Sequence, residues 1–169
     1  MDTIFTSNSR TYEYTSAANP NIPKIPEDMN LEINISCPNT ENNLIYNGIS
    51  TFLNKERKWC IVKLSPIVET STIDNLYDQG FRQFHCSNTI PVLEGGLSGP
   101  SVKSFSNQKI SYISTTYPDC KIIAGGGIQS INDIKDYSSR GAHYFSISTL
   151  LFNPFKTIKF FYDFNNNFC

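Results

Sequence analysis

Asn34, Ser36, Cys37 and Asn39 stand within six residues of one another, in the stretch Leu31–Thr40, LEINISCPNT. A thiol that loses its proton becomes a base, and neighbouring amides and a hydroxyl can hold a small polar substrate against it. Leu31, Ile33 and Ile35 alternate with Glu32, Asn34 and Ser36, the period-2 pattern of a strand. Pro38 cannot donate to a ladder, so the strand is over by Cys37. The polar residues therefore arrive at the C-terminal end of a strand, where parallel α/β folds keep their chemistry. The same stretch also reads as a strand closing in a Pro-Asn turn around a half-buried thiol.

Further candidates stand at the ends of later apolar runs. Lys63 lies between Val62 and Leu64, where an ammonium is costly unless it meets an anion or points out of the rim into water. Asn88 and Thr89 follow one run, and Ser148 and Thr149 follow another. Gly125, Gly126 and Gly127 precede Ile128-Gln129-Ser130 and the start of a helix. Glycine N–H groups at a helix N-terminus suit a phosphate, although a tight strand-to-helix turn would use the same residues. Ser130 stands where a dinucleotide fingerprint needs its last glycine. His85 and His143 have no ligand partner at metal-site spacing, so no metal is expected.

These groups need elements to position them. After the opening strand, Thr40, Asn42 and Asn43 can cap a helix to about Arg57, with Leu44, Ile45, Ile49, Phe52 and Leu53 on one face. Strands are expected at Trp59–Leu64, Arg82–Ser87, Asp119–Ala124 and Ala142–Ile147. Helices are expected at Thr70–Gln79 (ended by Gly80), Ser106–Tyr117, Ser130–Ser139 and Asn153–Phe164, with Gly95–Pro100 as a glycine-rich loop. This is βα repeated five times, the pattern of a parallel sheet with right-handed crossovers. Five units suit an open doubly wound sheet or five-eighths of a barrel.

At 169 residues the chain can bury a core as one domain. A net charge of −1 with 17% charged residues favours neither nucleic acid nor an anionic membrane surface. An odd cysteine count of five, without CxxC or a secretory leader, fits a reduced cytoplasmic setting. Residues 1–30 read as an extended Pro/Asn/Ser-rich lead-in, with Pro20, Pro23 and Pro26 every third position, and residues 31–169 as the folded unit.

Five segments, in order, resemble the dihydroorotate dehydrogenase family. They are Asn34-Ile35-Ser36-Cys37-Pro38-Asn39, Val62-Lys63-Leu64-Ser65-Pro66, Ser87-Asn88-Thr89, Gly95-Gly96-Leu97-Ser98-Gly99-Pro100 with Lys103, and Ala124-Gly125-Gly126-Gly127-Ile128. The resemblance runs from about Leu31 to Phe155. It implies an α/β fold of parallel βα repeats, a partial TIM barrel holding the fourth to eighth strands of the parent. It implies FMN as cofactor and oxidation of dihydroorotate to orotate in pyrimidine biosynthesis. By position, Cys37 corresponds to the base that takes the C5 proton, and a cysteine there points to the soluble class. Asn34, Asn39, Asn88 and Thr89 correspond to residues that hold the substrate. Lys63 corresponds to the lysine at the flavin pyrimidine edge. Gly96, Gly126, Gly127 and Thr149 correspond to the surroundings of the flavin phosphate, where Ser148 replaces the usual glycine.

There are three departures from the family pattern. The opening strands are absent, and with them a further lysine and part of the flavin cradle. Ser148 brings a Cβ toward the phosphate. Only five residues separate Thr89 from Gly95, where the family carries a longer insertion. The resemblance thus implies a flavoprotein enzyme if the missing strands are supplied or dispensable. The alternative is a non-catalytic remnant or binding half-barrel without a complete FMN site. The expected partners are the small-molecule substrate and a homo-oligomer or a complementing chain bearing the missing strands, with no nucleic acid and no membrane.

Overall fold

The computed structural model describes residues 11–12, 25–35, 49–93 and 95–168, with the side chains of 11–12 left aside. Among the described residues the strands are β1 (Thr11–Tyr12), β2 (Leu31–Asn34), β3 (Cys60–Lys63), β4 (Gln83–Cys86), β5 (Ile90–Val92), β6 (Gly95–Leu97), β7 (Lys121–Gly125) and β8 (Tyr144–Ser146). The α-helices among them are α1 (Thr70–Asp78), α2 (Lys103–Thr116), α3 (Ile131–Ser139) and α4 (Pro154–Phe168). Six strands form one sheet in the order β1-β2-β3-β4-β7-β8, and every pairing in it is parallel. Parallel neighbours need crossovers, and α1, α2 and α3 supply them after β3, β4 and β7. Among the described residues no helix is long and apolar enough to cross a membrane.

Local chemistry sets the helix boundaries. Gly80 adopts φ +107° just past α1 and donates its N–H to the Tyr77 carbonyl, a left-handed stop that residues with a Cβ avoid. Ser130 caps α3, and Asp133 reaches back to its N–H. Asn153 Oδ1 accepts the Lys156 N–H ahead of α4, and Pro154 starts that helix where its missing N–H costs nothing.

The helices bury one face of the sheet. Val62, Phe84, Ile122 and Ala124 are fully sealed there against Ile73 and Leu76 of α1, Ile110 and Ile113 of α2, and Ile134 of α3. The opposite, inner face carries a smaller apolar cluster of Trp59, Ile61 and Ile123 with Tyr144 packed against it. The Trp59 and Tyr144 rings meet edge to face at 5.2 Å, a favoured aromatic arrangement.

Three expectations are corrected. The helix expected from Thr40 to about Arg57 lies partly outside the described residues, and its described end is a 3-10 turn at Ile49–Phe52. Ile49 is buried and Phe52 and Leu53 pack on the core, as expected of that apolar face, while Leu44 and Ile45 lie outside the described residues. Asn54 then takes the Glu56 N–H on its own side chain, local bonding that competes with helix. The glycine-rich loop is an antiparallel hairpin, with Ile90 opposite Leu97 and Val92 opposite Gly95. The closing helices also run past their expected bounds: α2 starts at Lys103 and α4 reaches Phe168.

Candidate functional site

Parallel strands all deliver their C-terminal ends to one rim. β2 ends at Asn34, β3 at Lys63, β4 runs into Ser87-Asn88-Thr89, β7 opens into the glycine triplet, and β8 leads to Ser148-Thr149. Period-2 alternation and the register Asn34↔Lys63↔His85↔Ile123 set Glu32, Asn34, Lys63 and His85 on the inner face.

A cavity of about 130 Å³ opens between these strand ends. Lys63, His85, Ser87, Asn88 and Thr89 line one side. Ser98 and Gly99, then Gly126 and Gly127, then Ser148 and Thr149 line the rest. The structure thus brings together Lys63, Asn88, Thr89, Gly126, Gly127, Ser148 and Thr149, seven of the residues singled out from sequence. Asn34 stands beside them, its Oδ1 accepting from Asn88 Nδ2 at 3.2 Å. Gly96 falls elsewhere, on β6 against Thr89, where an added Cβ would come 3.0 Å from the threonine side chain. Cys37 and Asn39 lie outside the described residues.

The glycine triplet is shaped by close approach. Gly126 and Gly127 adopt φ +82° and +76°. A Cβ on Gly127 would lie 2.9 Å from the Gly99 carbonyl oxygen, and one on Gly126 would strike Val102 at 2.6 Å. Behind the loop, the Tyr137 hydroxyl donates to the carbonyls of Gly126 (2.6 Å) and Gly125 (3.2 Å). Burial pushes that hydroxyl up to about 12.

The helix N-terminus beside the triplet already holds an anion. Asp133 Oδ2 accepts the N–H groups of Gln129 and Ser130 and the Ser130 hydroxyl, and its Oδ1 takes Lys103 Nζ at 2.6 Å. Burial raises the Asp133 carboxyl, but Lys103 and these hydrogen bonds outweigh it and hold it below the usual range. A guest phosphate would therefore depend on the glycine loop and the Ser148-Thr149 hydroxyls rather than on those N–H groups. Ser148 has φ −136°, which any residue adopts, so replacing glycine there strains nothing in the backbone.

Sequence reasoning missed two members of the site. The anion that Lys63 needs is Glu32, whose Oε1 lies 3.7 Å from its Nζ. Glu32 Oε2 also lies 2.8 Å from His85 Nδ1. Alternation along β2 already placed Glu32 on the face of Asn34, but the inter-strand register that sets it beside Lys63 and His85 is not written in any one strand. The described cysteines are on the other side of the sheet. Burial pushes the thiols of Cys60 and Cys120 up to about 11 and that of Cys86 up to about 12, so none is a base at neutral pH.

Known proteins are similar to this chain in sequence and in fold. Residues 21–162 match the sequence model of dihydroorotate dehydrogenase. The chain is 31% identical over 162 residues to the dihydroorotate dehydrogenase B (NAD(+)) catalytic subunit of Staphylococcus carnosus, covering 79% of this chain and 52% of that one. The same-named subunit of Malacoplasma penetrans is 32% identical over 154 residues, covering 74% and 49%. The chain spans about half the length of these curated relatives. In fold it resembles the dihydroorotate dehydrogenase of Eimeria tenella, solved in complex with ferulenol, with a TM-score of 0.61 at 20% identity over 73% of this chain and 45% of that one. The sheet is accordingly a partial TIM barrel, and with most of its length matched, the chain belongs to the dihydroorotate dehydrogenase family.

Proposed function

We propose that this chain carries the substrate- and flavin-facing half of a barrel that oxidises dihydroorotate to orotate in pyrimidine biosynthesis. The observation that carries the reading is the convergence of Lys63, Asn88, Gly126, Gly127 and Thr149 on one cavity, with Asn34 hydrogen-bonded to Asn88 at its edge.

The residues present fit FMN on two grounds. The turn at Gly126-Gly127 can line the cavity while packed against Val102 and Gly99 only because neither residue has a Cβ, and Ser148 and Thr149 line the same cavity with hydroxyl-bearing side chains suited to a phosphate. Lys63 keeps a cation at the edge where a ring carbonyl would lie. FMN bound there supplies the hydride acceptor for the substrate C6 hydrogen. Cys37, as thiolate, takes the C5 proton, and Asn34, Asn39, Asn88 and Thr89 orient the pyrimidine ring and its carboxylate by donors and acceptors rather than net charge. An unperturbed thiol has a pKa of about 8.5, so the rate should climb with pH toward that value.

The chain spans about half the length of its curated relatives, and the remaining strands of the parent barrel are proposed to complete the site. An edge at β8, paired only with β7 among the described residues, favours a second reading: a half-barrel that binds but does not turn over. Visible absorbance of the purified chain separates the readings. A yellow sample, or one that takes up added FMN, supports the flavoprotein, and a sample that does neither overturns it. With FMN bound and the missing strands supplied in trans, Cys37→Ala should lose about 10²-fold in rate, the scale of general base catalysis. Undiminished turnover removes the role given to Cys37.

A further inference from the structure

Glu32, Lys63 and His85 stand on three adjacent strands of the inner face, Lys63 opposite His85 and Glu32 two residues before Asn34, the residue opposite Lys63. The Glu32 carboxylate touches both neighbours, at 2.8 Å from His85 Nδ1 and 3.7 Å from Lys63 Nζ. Burial raises the Glu32 carboxyl, but His85 and Lys63 beside it more than reverse this, so it is ionised at neutral pH. An ionised carboxylate only accepts hydrogen bonds, so His85 Nδ1 carries the hydrogen. In the neutral ring Nε2 is then left with a lone pair. That atom is buried and has no hydrogen-bond partner among the described residues, and the His85 side chain is only 8% exposed yet lines the cavity. A Cβ on Gly125 would strike the Ser87 side chain at 2.6 Å and stand 3.2 Å from Nε2, so β7 can pass this close to both only as glycine. Lys63 opens onto the same space as a donor. An acceptor and a donor from residues opposite each other on adjacent strands, both lining one cavity, are complementary to an N–H next to a C=O.

We propose that His85 Nε2 and Lys63 Nζ together read the N–H/C=O edge of a planar cyclic imide. Nε2 accepts from the ring N–H and the ammonium donates to the adjoining carbonyl oxygen. Glu32 is the positioning residue that fixes the His85 tautomer. The inference rests on the function proposed above, because the pyrimidine ring of a flavin and that of orotate both carry this edge.

Methylation of the ring nitrogen tests it. Dissociation constants are measured for FMN and 3-methyl-FMN, and for orotate and 3-methylorotate, on the parent chain and on His85→Leu. The parent should prefer one unmethylated ligand by about tenfold, the worth of one hydrogen bond to an acceptor otherwise buried unpaired. His85→Leu should erase that preference. Discrimination within the FMN pair assigns the edge to the flavin, and within the orotate pair to the substrate. Equal affinity within both pairs, or a preference that survives His85→Leu, overturns the inference and leaves the flavoprotein reading standing. A parent that binds none of the four overturns both. Should His85→Leu fail to fold, the nitrogen-15 shift of Nε2 in the parent decides: it moves on binding, or the inference falls.

Discussion

The two faces of the sheet are built on different terms. On the helix side, Val62, Phe84, Ile122 and Ala124 are each 0% exposed and meet apolar residues from α1, α2 and α3. On the inner face, three buried apolar residues support a layer of carboxylate, ammonium and imidazole that opens into a cavity. The first face is closed by the chain's own helices and holds the fold together. The second spends part of its burial on polar groups with partners, which adds little stability but leaves defined donors and acceptors for a ligand. If that division is right, equal truncations on the two faces should have unequal consequences.

The largest effect is expected on the helix side. Ile122→Ala should cost about 4 kcal/mol in a denaturant melt, because the side chain is fully enclosed and helices on a parallel sheet cannot collapse into the gap. Ile123→Ala, in the smaller inner cluster, should cost about 2 kcal/mol, the low end for an aliphatic residue beside an opening. Equal losses would mean that the inner face is as well packed as the outer one.

A smaller effect is expected in the polar layer. Glu32→Gln keeps an acceptor for His85 but removes the charge facing Lys63, and should cost about 2 kcal/mol near neutral pH. Its distinguishing feature is acid dependence. The folded Glu32 carboxyl lies below its ordinary value of 4.5, so its contribution is complete above that value and is lost as pH falls through the folded one. Unfolding midpoints from pH 6 to pH 2 should therefore converge for parent and Glu32→Gln. Parallel curves would break the assignment.

Residue patterns made much of this visible before any coordinates. The βα order, the stop at Gly80 and the helix start at Ser130 are local properties, set by conformational freedom and by side chains reaching their own backbone. The gathering of Asn88, Gly126, Gly127 and Thr149 followed from the rule that parallel strands share a rim. What escaped was non-local or subtle. The Glu32–His85 contact joins residues 53 positions apart through a strand register that sequence does not state. The hairpin at Gly95–Leu97 is short, contains three exposed residues and pairs with a strand carrying Pro91, all of which argue for loop. Asp133 lies in the first turn of α3, but the contact between its Oδ1 and Lys103, thirty residues away, while its Oδ2 takes the Gln129 and Ser130 N–H groups, is set by tertiary packing.

The smallest effect should come where the two faces meet. Tyr137 packs its ring in the helix-side core and sends its hydroxyl to the Gly125 and Gly126 carbonyls that turn the chain into the cavity. Tyr137→Phe keeps the ring and leaves those carbonyls short of one donor, so it should cost about 1 kcal/mol. The loss should be local, with faster amide exchange at Gly127 and Ile128 and unchanged exchange in β3 and β4. The pH dependence has a definite sign. Folding holds the Tyr137 proton on, raising its value from 10 to about 12, so its stabilisation is complete below 10 and is lost as pH rises through 12. The parent should therefore lose its advantage over Tyr137→Phe in that alkaline window and nowhere below it. A deficit of about 3 kcal/mol or more would place the hydroxyl among the groups that hold the fold. No deficit, with exchange at the glycine loop unchanged, would mean that the cavity-side turn is held by the Gly99 and Val102 contacts alone.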